Sequence, residues 1–130
     1  MIPKFRAWDK RENTMRDVAV LHFTKGGKVN SIEYWKTPSE LKSYHVRNLV
    51  LMQSTGLKDK NGVEIFEGDV LYYDPFKTHM NDSIVVFEKG SFCKKTIRNG
   101  KLTSVRFIDS EEYEVIGNVW DNPELLEEAE

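Results

Sequence analysis

Between Gln53 and Val70 the chain reads QSTGLKDKNGVEIFEGDV. Asn61-Gly62 is a turn signal, Val63 to Phe66 is a short apolar run, and Gly68-Asp69 turns the chain again. Gly62 and Gly68 can take positive φ without a Cβ clash, so two reversals fit within a few residues. Asp69 can accept from nearby backbone N–H groups and fix its turn. A segment that reverses this often cannot propagate a long helix. It predicts a compact β module, and it contains no catalytic motif.

The rest of the chain repeats the theme. Lys4 to Trp8 is extended, and Asp9 to Asn13 is a polar turn. Met15 to Phe23 and Lys28 to Trp35 form a hairpin across Gly26-Gly27. Pro38 breaks the pattern, with a short helical turn expected through Leu41, and Val46 to Gln53 reads as a strand. Further strands are expected at Asp69–Tyr73, Ser83–Glu88, Ser91–Arg98, Leu102–Ile108 and Tyr113–Trp120. Lys89-Gly90 is a turn, and Asn99-Gly100 is the sequence's strongest two-residue hairpin signal. Asn122-Pro123-Glu124 has the cap, first-turn proline and early acid of a helix start, and the EEAE tail is expected to fray. Trp8, Phe66 and Trp120 are the expected large core anchors. The predicted class is mainly β. A small SH3-like, partly open β-barrel is expected over residues 55–130, with a short C-terminal helical turn. A β or α+β flanking element precedes it over residues 1–54, the two making one compact body.

Composition narrows function by exclusion. With 39% hydrophobic and 12% aromatic residues, 130 residues can bury a core without disulfides or metals. The net charge of −2 offers no global field for nucleic acid or an anionic membrane. The start, MIPKFRAWDK, lacks the apolar centre of a signal peptide, and no run approaches the roughly 20 apolar residues of a membrane span. One cysteine, Cys93, excludes an internal disulfide. A soluble cytoplasmic protein is the expectation.

Catalytic constellations are missing. His22, His45 and His79 lie on separate elements and Cys93 stands alone, so no metal-ligand spacing is present and no metal or cofactor is expected. Gly100-Lys101 is followed by Leu102, so the hydroxyl of a phosphate-binding loop is absent. The carboxylates Glu64, Glu67 and Asp69, and Asp109, Glu111, Glu112 and Glu114, read as a solvated face. The expectation is a protein that is not an enzyme. Lys94, Lys95, Arg98, Lys101 and Arg106 gather around the Asn99-Gly100 hairpin near Phe92 and Phe107. Such a ribbon can track phosphates and stack bases, or it can protect an exposed sheet edge. Edge protection is favoured, and nucleic-acid binding through this hairpin is the alternative function.

Three long segments carry a family resemblance. They are KFRAWDK with Met15 and Val18, QSTGLKDKNGVEIFEGDV, and YEVIGNVWDNPELL at Tyr113 to Leu126. On these the chain resembles the YopX family from end to end. The resemblance implies a β-rich, phage- or prophage-encoded cytoplasmic protein that self-associates, and it hands over no catalytic residues. The leading expectation is therefore a homo-oligomeric accessory module that binds itself or a host or phage protein. Tyr34, Trp35 and Tyr73 are its candidate interaction surface.

Overall fold

The computed structural model describes residues 4–127, apart from the Phe107 side chain. The first three residues and residues 128–130 lie outside the described residues, and so therefore do the first part of the absent-leader reading and the fraying of the tail. Strands hold 56% of the described residues and short 3₁₀ turns far fewer, so the chain is mainly β as its sequence predicts. Among the described residues the strands form antiparallel sheets and no closed barrel. No helix among the described residues is long and apolar enough to cross a membrane. By its contacts the chain falls into two units, over residues 4–53 and 54–127.

The first unit is built from β1 (Phe5–Asp9), β2 (Thr14–Phe23), β3 (Val29–Thr37), β4 (Glu40–His45) and the start of β5 (Leu49–Lys58). The strand order is β4-β3-β2-β1-β5. The β2–β3 hairpin closes with Thr24 N bonded to Lys28 O and Gly27 at φ 90°, a three-residue loop ending in the left-handed glycine its geometry requires. Alternation then sorts the side chains. Ile32 and Tyr34 on β3, Ala7 on β1 and Leu49 on β5 make the core, flanked by Val18, Leu21, Val29, Tyr44 and Leu51. The expected helical turn after Pro38 is a tight turn instead, and β4 follows at once. Glu40 to His45 pairs with β3 from Ser31 to Thr37, which outweighs the local helix-start signal. The strand expected from Val46 begins with a 3₁₀ turn at Val46–Asn48, where the His45 ring nitrogen accepts from Arg47 N at 3.1 Å.

The second unit takes the remainder of β5 with β6 (Glu64–Phe66), and a sheet in the order β10-β9-β8-β7-β11. Its members are β7 (Asp69–Tyr73), β8 (Ser83–Glu88), β9 (Ser91–Thr96), β10 (Leu102–Ser104) and β11 (Tyr113–Asn118). Ile65, Leu71, Val85 and Tyr113 form its core. The Asn61-Gly62 turn is pinned by Asp59. One carboxylate oxygen accepts from Asn61 N at 2.8 Å and Val63 N at 2.9 Å, and the other accepts from Val115 N on β11 at 2.9 Å. Gly62 sits at φ 78° and Gly68 at φ 90°, while Asp69 accepts from Phe66 N at 2.8 Å.

Three local expectations are corrected here. Glu88 pairs directly with Ser91, so the two-residue turn is Lys89-Gly90, whereas Asn99-Gly100 closes a four-residue loop between Thr96 and Lys101. The C-terminal helix start is a four-residue 3₁₀ turn, Pro123–Leu126. Asn122 does not cap it with its side chain, because that side chain accepts from Asn118 N on β11. Trp120 is 38% exposed rather than a core anchor, because β11 ends at Asn118 and the chain turns before the indole can return to the sheet face. Trp8 and Phe66 are buried.

Candidate functional site

An open concavity, a cup of about 940 Å³, lies within the first unit. Register explains its walls. Tyr34 pairs with Val18 on one side and Lys42 on the other, and Ile32 pairs with Tyr44, so these side chains share the sheet face that carries the core. Arg16, two residues before Val18, points the same way. Lys36, Ser43, His45, Arg47 and Asn48 complete the rim, together with Arg11 and Glu12 from the β1–β2 turn.

Asp9 holds this side of the cup. Its fully buried carboxylate accepts from Arg11 N at 3.0 Å and Glu12 N at 3.2 Å, which fixes the turn carrying Arg11. Its second oxygen meets the Arg16 guanidinium at 3.3 Å, and that guanidinium lies 4.7 Å from the centre of the Tyr34 ring. Arg16 is thus neutralised and stacked as a wall, with Glu12 at 3.7 Å as a further partner. Lys36 has Glu40 at 3.8 Å. The Arg11 guanidinium stacks 5.5 Å from the Tyr44 ring centre. Among the described residues no carboxylate pairs with Arg11, Lys42 or Arg47. Three cations therefore converge on a concave surface without compensation, and Glu12, already engaged, is the only acid of the lining.

The charge of the chain is partitioned in the same sense. Residues 4–53 hold ten Lys and Arg against five Asp and Glu, a net +5. Residues 54–127 hold nine against fourteen, a net −5. The overall −2 hides this split, so excluding anionic partners on total charge does not apply to the first unit.

A family model described as YopX protein matches residues 4–127. The chain belongs to the YopX family. No curated protein matches it. Its fold is similar to the crystal structure of protein EF1440 from Enterococcus faecalis, with 34% identity over 98% of this chain and 99% of that one and a TM-score of 0.72. It is also similar to the crystal structure of protein yopX from Bacillus subtilis, at 24% identity over 95% and 98% of the two chains, with a TM-score of 0.65.

In this YopX-family chain the residues singled out from sequence are dispersed. Tyr34 is corrected: it is 2% exposed and belongs to the first core. Trp35, its neighbour on β3, is 46% exposed, because adjacent strand residues face opposite ways and Trp35 lies on the face away from the core. Tyr73 is half-buried in the second unit, packed on Phe76 at 4.7 Å and Tyr113 at 5.0 Å. Its hydroxyl donates to Glu112 at 3.1 Å, and that bond, with lesser help from burial, raises its pKa.

The basic hairpin is also divided. Lys94 pairs with Val85, which is buried, so it points to the core side, and its ammonium lies 5.8 Å from the Tyr113 ring centre. Burial, with Lys101 nearby, pushes its pKa down. Lys95, Arg98, Lys101 and Arg106 are exposed, in the acidic unit. Phe92 packs edge-on against Phe87 at 5.1 Å. Cys93 is buried. No three His, Cys, Asp or Glu side chains among the described residues gather as a metal ion would require. The cup itself escaped sequence reasoning because its cations are spread singly from Arg11 to Arg47. The excess of Lys and Arg over residues 4–53 was the available signal.

Proposed function

We propose that this YopX-family protein is a non-enzymatic binding module whose working surface is the cup of the first unit, and that it takes an anionic partner. The observation that carries this is the convergence of Arg11, Lys42 and Arg47, without carboxylate partners, on a concave face already shaped by Asp9 and Arg16. Concentrating like charge in a depression costs self-repulsion, which a bound anion would relieve. The chain should bind a heparin column despite its net −2. Lys42→Glu with Arg47→Glu should abolish retention, while Lys95→Glu with Arg98→Glu should leave it largely intact. The reverse pattern would transfer the function to the β9–β10 hairpin. For single-stranded DNA, three phosphate contacts give a log–log salt slope of about −2.

A second reading is self-association, favoured by one feature on the other face of the same sheet. Trp35 and Leu41 face each other across β3 and β4, 46% and 41% exposed, beside the open edge of β4. Two adjoining apolar side chains at a sheet edge suit a second copy or a host or phage protein. The two readings use opposite faces of the sheet and are compatible.

A further inference from the structure

We infer that the anion held in the cup is a phosphate group borne by a nucleotide-sized ligand, grasped by Arg11 and Arg47 with the Tyr44 hydroxyl as a neutral donor. This rests on the anion-binding reading above and sharpens it. The first observation is the hydroxyl itself: Tyr44 lines the cup, yet its buried oxygen has no hydrogen-bond partner among the described residues. A buried polar group left unmatched is costly, and a ligand acceptor brought to it would recover that cost. A phenol O–H can donate to an oxyanion, and Arg11, a long side chain over that ring, can swing aside to admit it.

The second observation is the donor set. Two guanidinium forks, an ammonium at Lys42 and a hydroxyl at Tyr44 line the same depression. A carboxylate has two coplanar oxygens and satisfies one fork. A tetrahedral phosphate presents three oxygens and can satisfy a fork, an ammonium and a hydroxyl together. The third observation is size: about 940 Å³ lies in the range of small-ligand sites, larger than a bare ion needs.

The phosphate could come from a free nucleotide or from the 5′ end of a nucleic-acid strand, and the test separates them. Calorimetry and amide shifts on the full chain would follow ATP, pyrophosphate, a short oligothymidylate with and without a 5′-phosphate, and poly-glutamate. ATP and pyrophosphate should bind at least about tenfold more tightly than poly-glutamate, shifting residues 11, 42–44 and 47. A strand-end source would show instead as preference for the 5′-phosphorylated oligomer over both ATP and its unphosphorylated twin. Tyr44→Phe should weaken phosphate ligands about tenfold and poly-glutamate less. Its melting temperature should hold or rise, since an unmatched hydroxyl is removed, so loss of folding is no confounder. Equal affinity for poly-glutamate and phosphate ligands, or an unaltered phosphate affinity in Tyr44→Phe, overturns the phosphate assignment while leaving the cup as an anion site. If none of these anions nor heparin binds, the anion reading itself falls.

Discussion

Asp59 shows how one side chain can connect distant parts of a sequence. It is 3% exposed, and it receives three backbone N–H groups, two from its own turn and one from β11, 56 residues on. Charge-assisted bonds of this kind contribute about 1.5–3 kcal/mol each, and they are not additive. Asp59→Ala is expected to cost at least about 3 kcal/mol in urea unfolding, more than Asp59→Asn, which keeps one acceptor oxygen. The sequence announced the turn at Asn61-Gly62, because Gly62 needs positive φ. It did not announce the anchor, since an aspartate one position from a lysine looks like any surface pair. Asp82 makes a contrasting case. Its Oδ2 meets His79 Nδ1 at 2.9 Å, but burial outweighs that bond and raises the carboxyl above its ordinary 3.8. The folded chain then binds this proton more readily than the unfolded chain. The stabilising contribution is complete below the ordinary value and is lost as pH rises through the raised one. Asp82→Asn should therefore be more stable than the parent at neutral pH, with the gap closing on acidification. A gap that widens in acid would refute the assignment.

At the scale of elements, turn chemistry was legible and turn length was not. The glycines at 27, 62, 68, 90 and 100 all adopt the positive φ their turns demand. Yet the two-residue turn fell to Lys89-Gly90, with Lys89 at φ 54°, while Asn99-Gly100 went to a longer loop. Register decided this, because pairing across β8 and β9 is continuous from Ser83 with Thr96 to Glu88 with Ser91. A lysine tolerates the left-handed region poorly and an asparagine tolerates it well. Lys89→Asn should raise stability by roughly 0.5–1 kcal/mol, read as a higher urea midpoint at unchanged slope. The end of β11 is also set by packing. A Cβ on Gly117 would meet Asn122 Cγ at 2.8 Å and Leu125 Cδ1 at 2.9 Å, beside the bulge between Val115 and Gly117. Gly117→Ala should cost about 1–3 kcal/mol and loosen the 3₁₀ turn at Pro123. That close approach explains why the Asn-Pro-Glu signal yields a four-residue turn: Leu125 and the Asn122 side chain are already committed to the strand.

For the molecule as a whole, the mainly β class was readable from end to end, whereas the cup was not. Its members come from three strands and two turns, and only the register of β2, β3 and β4 brings them to one face. The same register puts Tyr34 and Trp35, both named for a candidate interaction surface, on opposite faces of β3. If Trp35 and Leu41 form a contact between copies, the mass in solution should exceed 15.2 kDa, and Trp35→Arg should return it to a single chain without moving the melting temperature by more than a degree or two. A single-chain mass for the parent at high concentration would remove that reading and leave the cup untouched. The division of charge has a practical edge as well. Isoelectric focusing would register a mildly acidic species near pI 6.0, an average that describes neither half. A purification scheme chosen from that figure would go straight to an anion exchanger. There the cationic resin would compete with the cup for any bound polyanion, and a genuine ligand would be stripped away before it was seen.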